Sequence, residues 1–106
     1  MTVLDDAVAH LTKARAFLEA AEMAHELELY NAAVFSAVSS GINSKDAICL
    51  ALTGRSRKTD NHADAIAELK QAGPVGRGLA SSFGRLLQLK SKSQYQAVSV
   101  SPAEAA

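Results

Sequence analysis

Residues able to do chemistry are sparse in this chain of 106 residues, and the densest group lies just past its middle. Arg55-Ser56-Arg57-Lys58-Thr59 places three cations together with no apolar side chain, and His62 follows. A guanidinium can hold a phosphate bidentately, and an imidazole with a reference pKa of about 6.5 exchanges protons near neutral pH. Arg57, His62 and Arg55 are therefore the candidate site residues, for binding a phosphate and moving a proton. The plain alternative is that the cations are solvated loop charges and His62 is a first-turn helical residue. Residues five apart in one helix diverge by about 140°, so Arg57 and His62 meet only through a loop. Wrapped over a helix starting near His62, that loop would add the amide donors of the helix end.

Other reactive side chains offer less. His10 and His25 stand fifteen residues apart among Ala, Leu and Glu, without metal-ligand spacing, so surface or groove positions are expected. No ligand cluster calls for a metal, and no motif calls for a cofactor. Gly76-Arg77-Gly78 lacks the preceding strand of a dinucleotide fingerprint. Cys49, the single cysteine, sits in the apolar run Ala47-Ile48-Cys49-Leu50-Ala51-Leu52 and reads as a buried small hydrophobe. Tyr30 reads as a corner residue and Tyr95 as a packing residue.

The elements that must position these groups are helical. Hydrophobic residues make up 48% of the chain but aromatics only 5%, a balance that favours Ala- and Leu-rich helices over a β-sandwich. Leu4, Val8, Leu11, Ala14, Leu18 and Ala21 recur at three- and four-residue steps after a Thr2–Asp5 capping box, giving a first helix to about Leu27. Asn31 is the expected N-cap of a second helix that runs to Gly54, and so short a connection makes the two antiparallel neighbours. Gly41, among Ser36, Ala37, Ser39, Ser40 and Ser44, marks a place where another backbone or side chain comes close. Residues 54–59 should form an exposed basic loop. Asp60 or Asn61 then caps a third helix with an inner face of Ala63, Ile66, Ala67 and Leu69, ended by Gly73-Pro74. A fourth helix from Val75 turns Leu79, Phe83, Leu86 and Leu87 to one side.

One hydrophobic core is what this length supports, so residues 1–96 are read as a single domain and 97–106 as a linker with a frayed or truncated helix start. Net charge is zero, which excludes a strongly cationic nucleic-acid binder, although an acidic first third precedes a basic last half. No apolar run approaches the roughly 20 residues of a membrane span, and Asp5-Asp6 interrupt any signal-peptide pattern, so the expectation is a cytoplasmic protein away from membranes. The few aromatics and the small-residue second helix point to a homodimer.

The wording Ala14-Arg15-Ala16-Phe17-Leu18-Glu19-Ala20-Ala21, then Leu29-Tyr30-Asn31-Ala32-Ala33-Val34, resembles the start of HEPN domains, and the likeness runs over about residues 8–96. Asp46-Ala47-Ile48 and Lys90-Ser91-Lys92-Ser93-Gln94-Tyr95 are similar to a small actinobacterial-type subset. The resemblance implies an all-α, four-helix up-and-down bundle of two antiparallel hairpins and frequent homodimerisation. It also implies, in many members, a metal-independent ribonuclease centre of Arg, four to six residues, and His. Arg57-x4-His62 and Arg55-x6-His62 both fit that pattern. The implied reaction is transesterification to a 2′,3′-cyclic phosphate, by a toxin-type or RNA- or nucleotide-binding module. Nucleotidyltransferase-paired members carry a Tyr two residues after the His, where this chain has Asp64. The alternative is a non-catalytic helical domain that holds a protein partner.

Overall fold

A computed structural model describes residues 2–56 and 61–95, with side-chain surroundings to residue 89. Four helices follow in order: α1 Val3–Glu26, α2 Tyr30–Thr53, α3 His62–Gln71 and α4 Pro74–Tyr95. The all-α bundle expected from the sequence is the fold. Thr2 opens α1 through the capping box: the Asp5 amide donates to Thr2 Oγ1 at 3.1 Å and the Thr2 amide to Asp5 Oδ2 at 3.0 Å. The bond from the Thr2 amide holds the Asp5 carboxyl below its usual range, and the Thr2 side chain adds to the effect.

The corner between α1 and α2 departs from the expected Asn31 cap. Leu29 is the N-cap of α2 and makes no side-chain cap bond. The turn is set by the end of α1, where the Glu28 amide donates to His25 O and the Leu29 amide to Ala24 O. This is a Schellman closure with Glu28 in the left-handed region at φ 61, a position glycine usually fills. His25 and Tyr30 meet edge to face across it, their ring centroids 5.7 Å apart.

Helix α1 has apolar residues at more positions than it can bury, and the alanines win the interior. Ala7, Ala14 and Ala21, spaced by seven, are buried against α2, while Leu4, Val8, Leu11 and Leu18 are exposed. Small side chains let the two axes approach toward the lower end of the 8–10 Å range typical of helix pairs. Close approach is visible where the Ser40 hydroxyl donates to Ala14 O at 2.7 Å.

Helix α2 is the centre of the arrangement, packed on α1 along one side and on α4 along another, with α3 lying on α4 and touching α2. The main core joins Cys49 of α2, Ala65 and Leu69 of α3, Ala72, and Ala80, Phe83 and Leu87 of α4. A second cluster pairs Val34 and Val38 with Ile42, Leu86 and Leu89, which shows α4 running antiparallel to α2. Cys49 is fully buried, as its apolar run implied, and burial pushes its thiol pKa up. The inner face of α3 is shifted from the expected one: Ala65 and Leu69 are buried and Ile66 half-buried, while Ala63 and Ala67 face outward. Leu79 is likewise exposed and Ala80 takes the interior, because the small residue lets α4 close on α3.

Two glycines mark close approaches. A Cβ on Gly41 would stand 2.9 Å from Leu86 Cδ1, which identifies α4 as the neighbour that the small surface of α2 admits. A Cβ on Gly76 would stand 1.9 Å from the carbonyl oxygen of Leu69, so the α3–α4 corner closes only around a glycine. Gly76→Ala should therefore destabilise the protein by about 1–3 kcal/mol through overpacking, with no new exposed apolar surface. Gly78, whose Cβ would meet nothing within 4 Å, is the control. Thermal melts of the two alanine variants should separate clearly, and equal midpoints would mean that the corner is looser than described.

Candidate functional site

The segment after α2 is where the sequence places its candidate residues. Gly54 ends α2 in the left-handed region at φ 79, its amide bonded to Leu50 O at 3.0 Å. The Thr53 hydroxyl lies 2.7 Å from Cys49 O and 3.0 Å from Arg55 O, which turns the chain back over the end of the helix. Gly54 and Arg55 are exposed, as expected of a basic loop, but Ser56 is half-buried. The sequence offers no apolar anchor for this loop, and polar bonds to Ser56 supply one instead.

Ser56 Oγ accepts from Lys45 Nζ at 3.0 Å, donates to Asp46 Oδ1, and lies 3.2 Å from Glu68 Oε1. Lys45 Nζ bonds to Glu68 Oε1 and stands 3.4 Å from Asp46 Oδ1. Lys45 and Asp46 are both buried, at 3% and 4% exposure, which is rare for charged residues unless they are paired. This polar core ties the C-terminal half of α2 to the loop and to α3, and its three charged side chains come from two helices.

On the other side of Asp46 lies α1. His10 Nδ1 is 2.9 Å from Asn43 Oδ1 and 3.9 Å from Asp46 Oδ2. A groove of about 370 Å³ opens beside it, lined by Asp6, Ala9, His10 and Lys13 of α1, Leu50 of α2, and Ser56.

Of the candidates read from sequence, Arg55 is at the surface one residue before the pinned Ser56, and Arg57 lies outside the described residues, as do Lys58, Thr59 and Asp60. His62 is the first residue of α3 and half-buried, and Asn61 caps that helix by accepting from the Asp64 amide at 3.1 Å. The segment 97–106, read as a linker, is also outside the described residues. Sequence reasoning missed Lys45, Asp46, Ser56, Glu68 and the His10–Asn43 pair. A signal was available for two of them: Lys45 and Asp46 are the only charged residues in the 24 of α2, set in an otherwise apolar and small-residue helix. The rest meet through the tertiary fold alone. Among the described residues no group of His, Cys, Asp and Glu could hold a metal ion, and no helix is long and apolar enough to cross a membrane.

Comparison with known proteins gives one family: a model described as the HEPN domain matches residues 7–106. No curated protein and no solved structure matches the chain.

The polar core makes a stability prediction. Lys45→Met preserves much of the stem volume but leaves the Asp46 and Glu68 carboxylates in the interior without that ammonium, which should cost about 3–5 kcal/mol. Chemical denaturation of wild type and variant measures the difference. A loss below about 1 kcal/mol, the range of exposed pairs, would mean that the cluster is solvated in solution.

Proposed function

The chain belongs to the HEPN domain family, and from that footing we propose that it is a metal-independent endoribonuclease acting as a homodimer. The observation that carries this reading is the pinning of Ser56 onto Asp46, Lys45 and Glu68. It holds Ser56, and with it the end of the exposed Arg55, against the bundle in the segment that leads to the helix beginning with His62. Arg57 and Arg55 would hold a phosphate of a single strand of RNA, and His62 would take the proton from the ribose 2′-OH. The 2′ oxygen then attacks phosphorus, leaving a 2′,3′-cyclic phosphate.

Homodimerisation is supported by the exposed face of α1. Leu4, Val8, Leu11 and Leu18 stand at three-, four- and seven-residue steps and are each at least 44% exposed, forming an apolar stripe on a helix whose buried face is spent on α2. A second copy covering that stripe would bring two sites into one particle. The same stripe favours the second reading, a non-catalytic helical domain that holds a protein partner.

Two measurements test the proposal. Sedimentation at micromolar concentration should give a dimer that Leu11→Glu converts to monomer, and a monomeric wild type would remove the dimeric part. Wild-type protein should cleave single-stranded RNA in EDTA but not its 2′-deoxy analogue, and His62→Ala and Arg57→Ala should each lower the rate at least about 100-fold. RNA left untouched by wild type would overturn the catalytic reading and leave the interaction domain.

A further inference from the structure

Helix α4 carries local choices that its packing does not explain. Its 22 residues include Arg77, Arg85, Lys90 and Lys92 and no Asp or Glu, although the chain as a whole is neutral. The N-terminal end of a helix favours carboxylates and disfavours cations, yet the first turn of α4 holds no acid and Arg77 is its fourth residue. Glycine is a poor helix former, because it gives up more backbone freedom than any other residue. Gly41 is accounted for by Leu86 and Gly76 by the Leu69 carbonyl, but a Cβ on Gly78 would meet nothing within 4 Å. Departures from helix preference that packing does not require are expected where a surface binds something.

The turn of the helix gathers these residues on one side. Ala80, Phe83 and Leu87 face the core. On the opposite side Arg77, Ser81, Arg85 and Gln88 follow at steps of four, four and three, with Gly78 and Ser82 next to them, and all six are exposed. At about 1.5 Å per residue, roughly 12 Å of axis separates the two arginines, so they can hold different phosphates of one strand. Among the described residues neither arginine has a carboxylate partner. Arg85 Nη2 donates to Ser82 Oγ at 3.3 Å, which lays the guanidinium along the helix and leaves its other N–H donors for a ligand. The absent side chain of Gly78 and the short ones of Ser81 and Ser82 let a polymer backbone come down onto the helix between the cations. This face also runs beside the start of α3. A Cβ on Gly84, the neighbour of Arg85, would stand 3.4 Å from Ile66 Cδ1, and Ile66 is one turn from His62.

We propose that the exposed face of α4 is a docking surface for the phosphate backbone of single-stranded RNA, separate from the cleavage centre. The proposal rests on the ribonuclease reading for the choice of RNA as the polyanion. Arg77 and Arg85 pair with phosphates, Ser81 donates a hydrogen bond beside them, and Gly78 is the point of closest approach. Contacts to phosphates position a strand without reading its bases, and their strength falls as salt rises. A neutral chain holds a polyanion in this way because its charge is sorted by helix, with cations alone on α4 and most of the carboxylates on α1.

Binding is measured by the fluorescence anisotropy of a labelled 2′-O-methyl RNA, which offers no 2′-OH for cleavage, over a series of KCl concentrations. Gly78→Glu enters open space and improves helix propensity, so the fold is kept, and it should weaken binding at least about 10-fold by setting a carboxylate against the phosphates. Arg77→Ala and Arg85→Ala should each weaken it about 3- to 10-fold and flatten the slope of log Kd against log salt by about 0.7. Arg15→Ala on α1 removes the same charge from another helix and should change Kd by less than about 2-fold. Gly78→Glu binding as well as wild type, or Arg15→Ala losing as much as Arg85→Ala, overturns the surface, and so does a wild type that cleaves RNA in EDTA but does not bind the 2′-O-methyl strand. In each of these cases wild-type cleavage keeps the ribonuclease reading. A wild type that binds through Gly78 and the arginines but cleaves nothing upholds the surface and removes the catalysis, whereas one that neither binds nor cleaves overturns both.

Discussion

The buried ammonium of Lys45 is the contact on which the lower half of the molecule depends. It sits on α2 among Asp46 of the same helix, Glu68 of α3 and the hydroxyl of Ser56. Removing such a charge from water costs several kcal/mol, and the pairing repays that only where the geometry is complete. A cluster of this kind adds little net stability over an apolar core of equal volume. Its consequence is placement: α3 touches α2 over a small area, and the loop between them has no apolar side chain in its described part, so the Lys45 cluster fixes where both lie.

The alanine face of α1 imposes the second constraint. Burying Ala7, Ala14 and Ala21 brings α1 close to α2, and close approach makes room for the Ser40 and His10 contacts between them. Alanine buries little apolar area, so the α1–α2 interface draws on short distances and polar pairs more than on side-chain volume. The leucines of α1 are left outside, where a partner surface has something to cover. One choice of helix face thus shapes both the groove and the apolar stripe.

These two constraints converge on Asp46. Its carboxylate accepts from Ser56 on one oxygen and faces His10 on the other, so the loop side and the α1 side of the molecule share one charge. A change at that residue reaches Ser56 and the groove together.

Four helices, their order and most of their ends were legible in the sequence, because local signals set them: the Thr2–Asp5 box, Gly54 as a left-handed cap, Asn61 before α3 and Gly73-Pro74 after it. The family was also legible, from the wording of the first hairpin. The α1–α2 corner was read two residues too late, since a Schellman closure with glutamate in the left-handed position leaves no residue signature. Which apolar face turned inward was not legible either. Periodicity shows that Leu4, Val8, Leu11, Ala14, Leu18 and Ala21 belong to a helix, but burial is decided by which neighbour can approach, and α2 approaches the alanines. The polar core lay beyond the sequence for the same reason: His10, Asp46, Ser56 and Glu68 are brought together from three helices and a loop, and contact at that separation is a property of packing. The sequence by itself determined the helices, the family and an arginine- and histidine-bearing segment. Only the tertiary structure decided that Ser56 is held by a buried lysine and that His10 lines the groove beside it, because those contacts depend on how the helices pack.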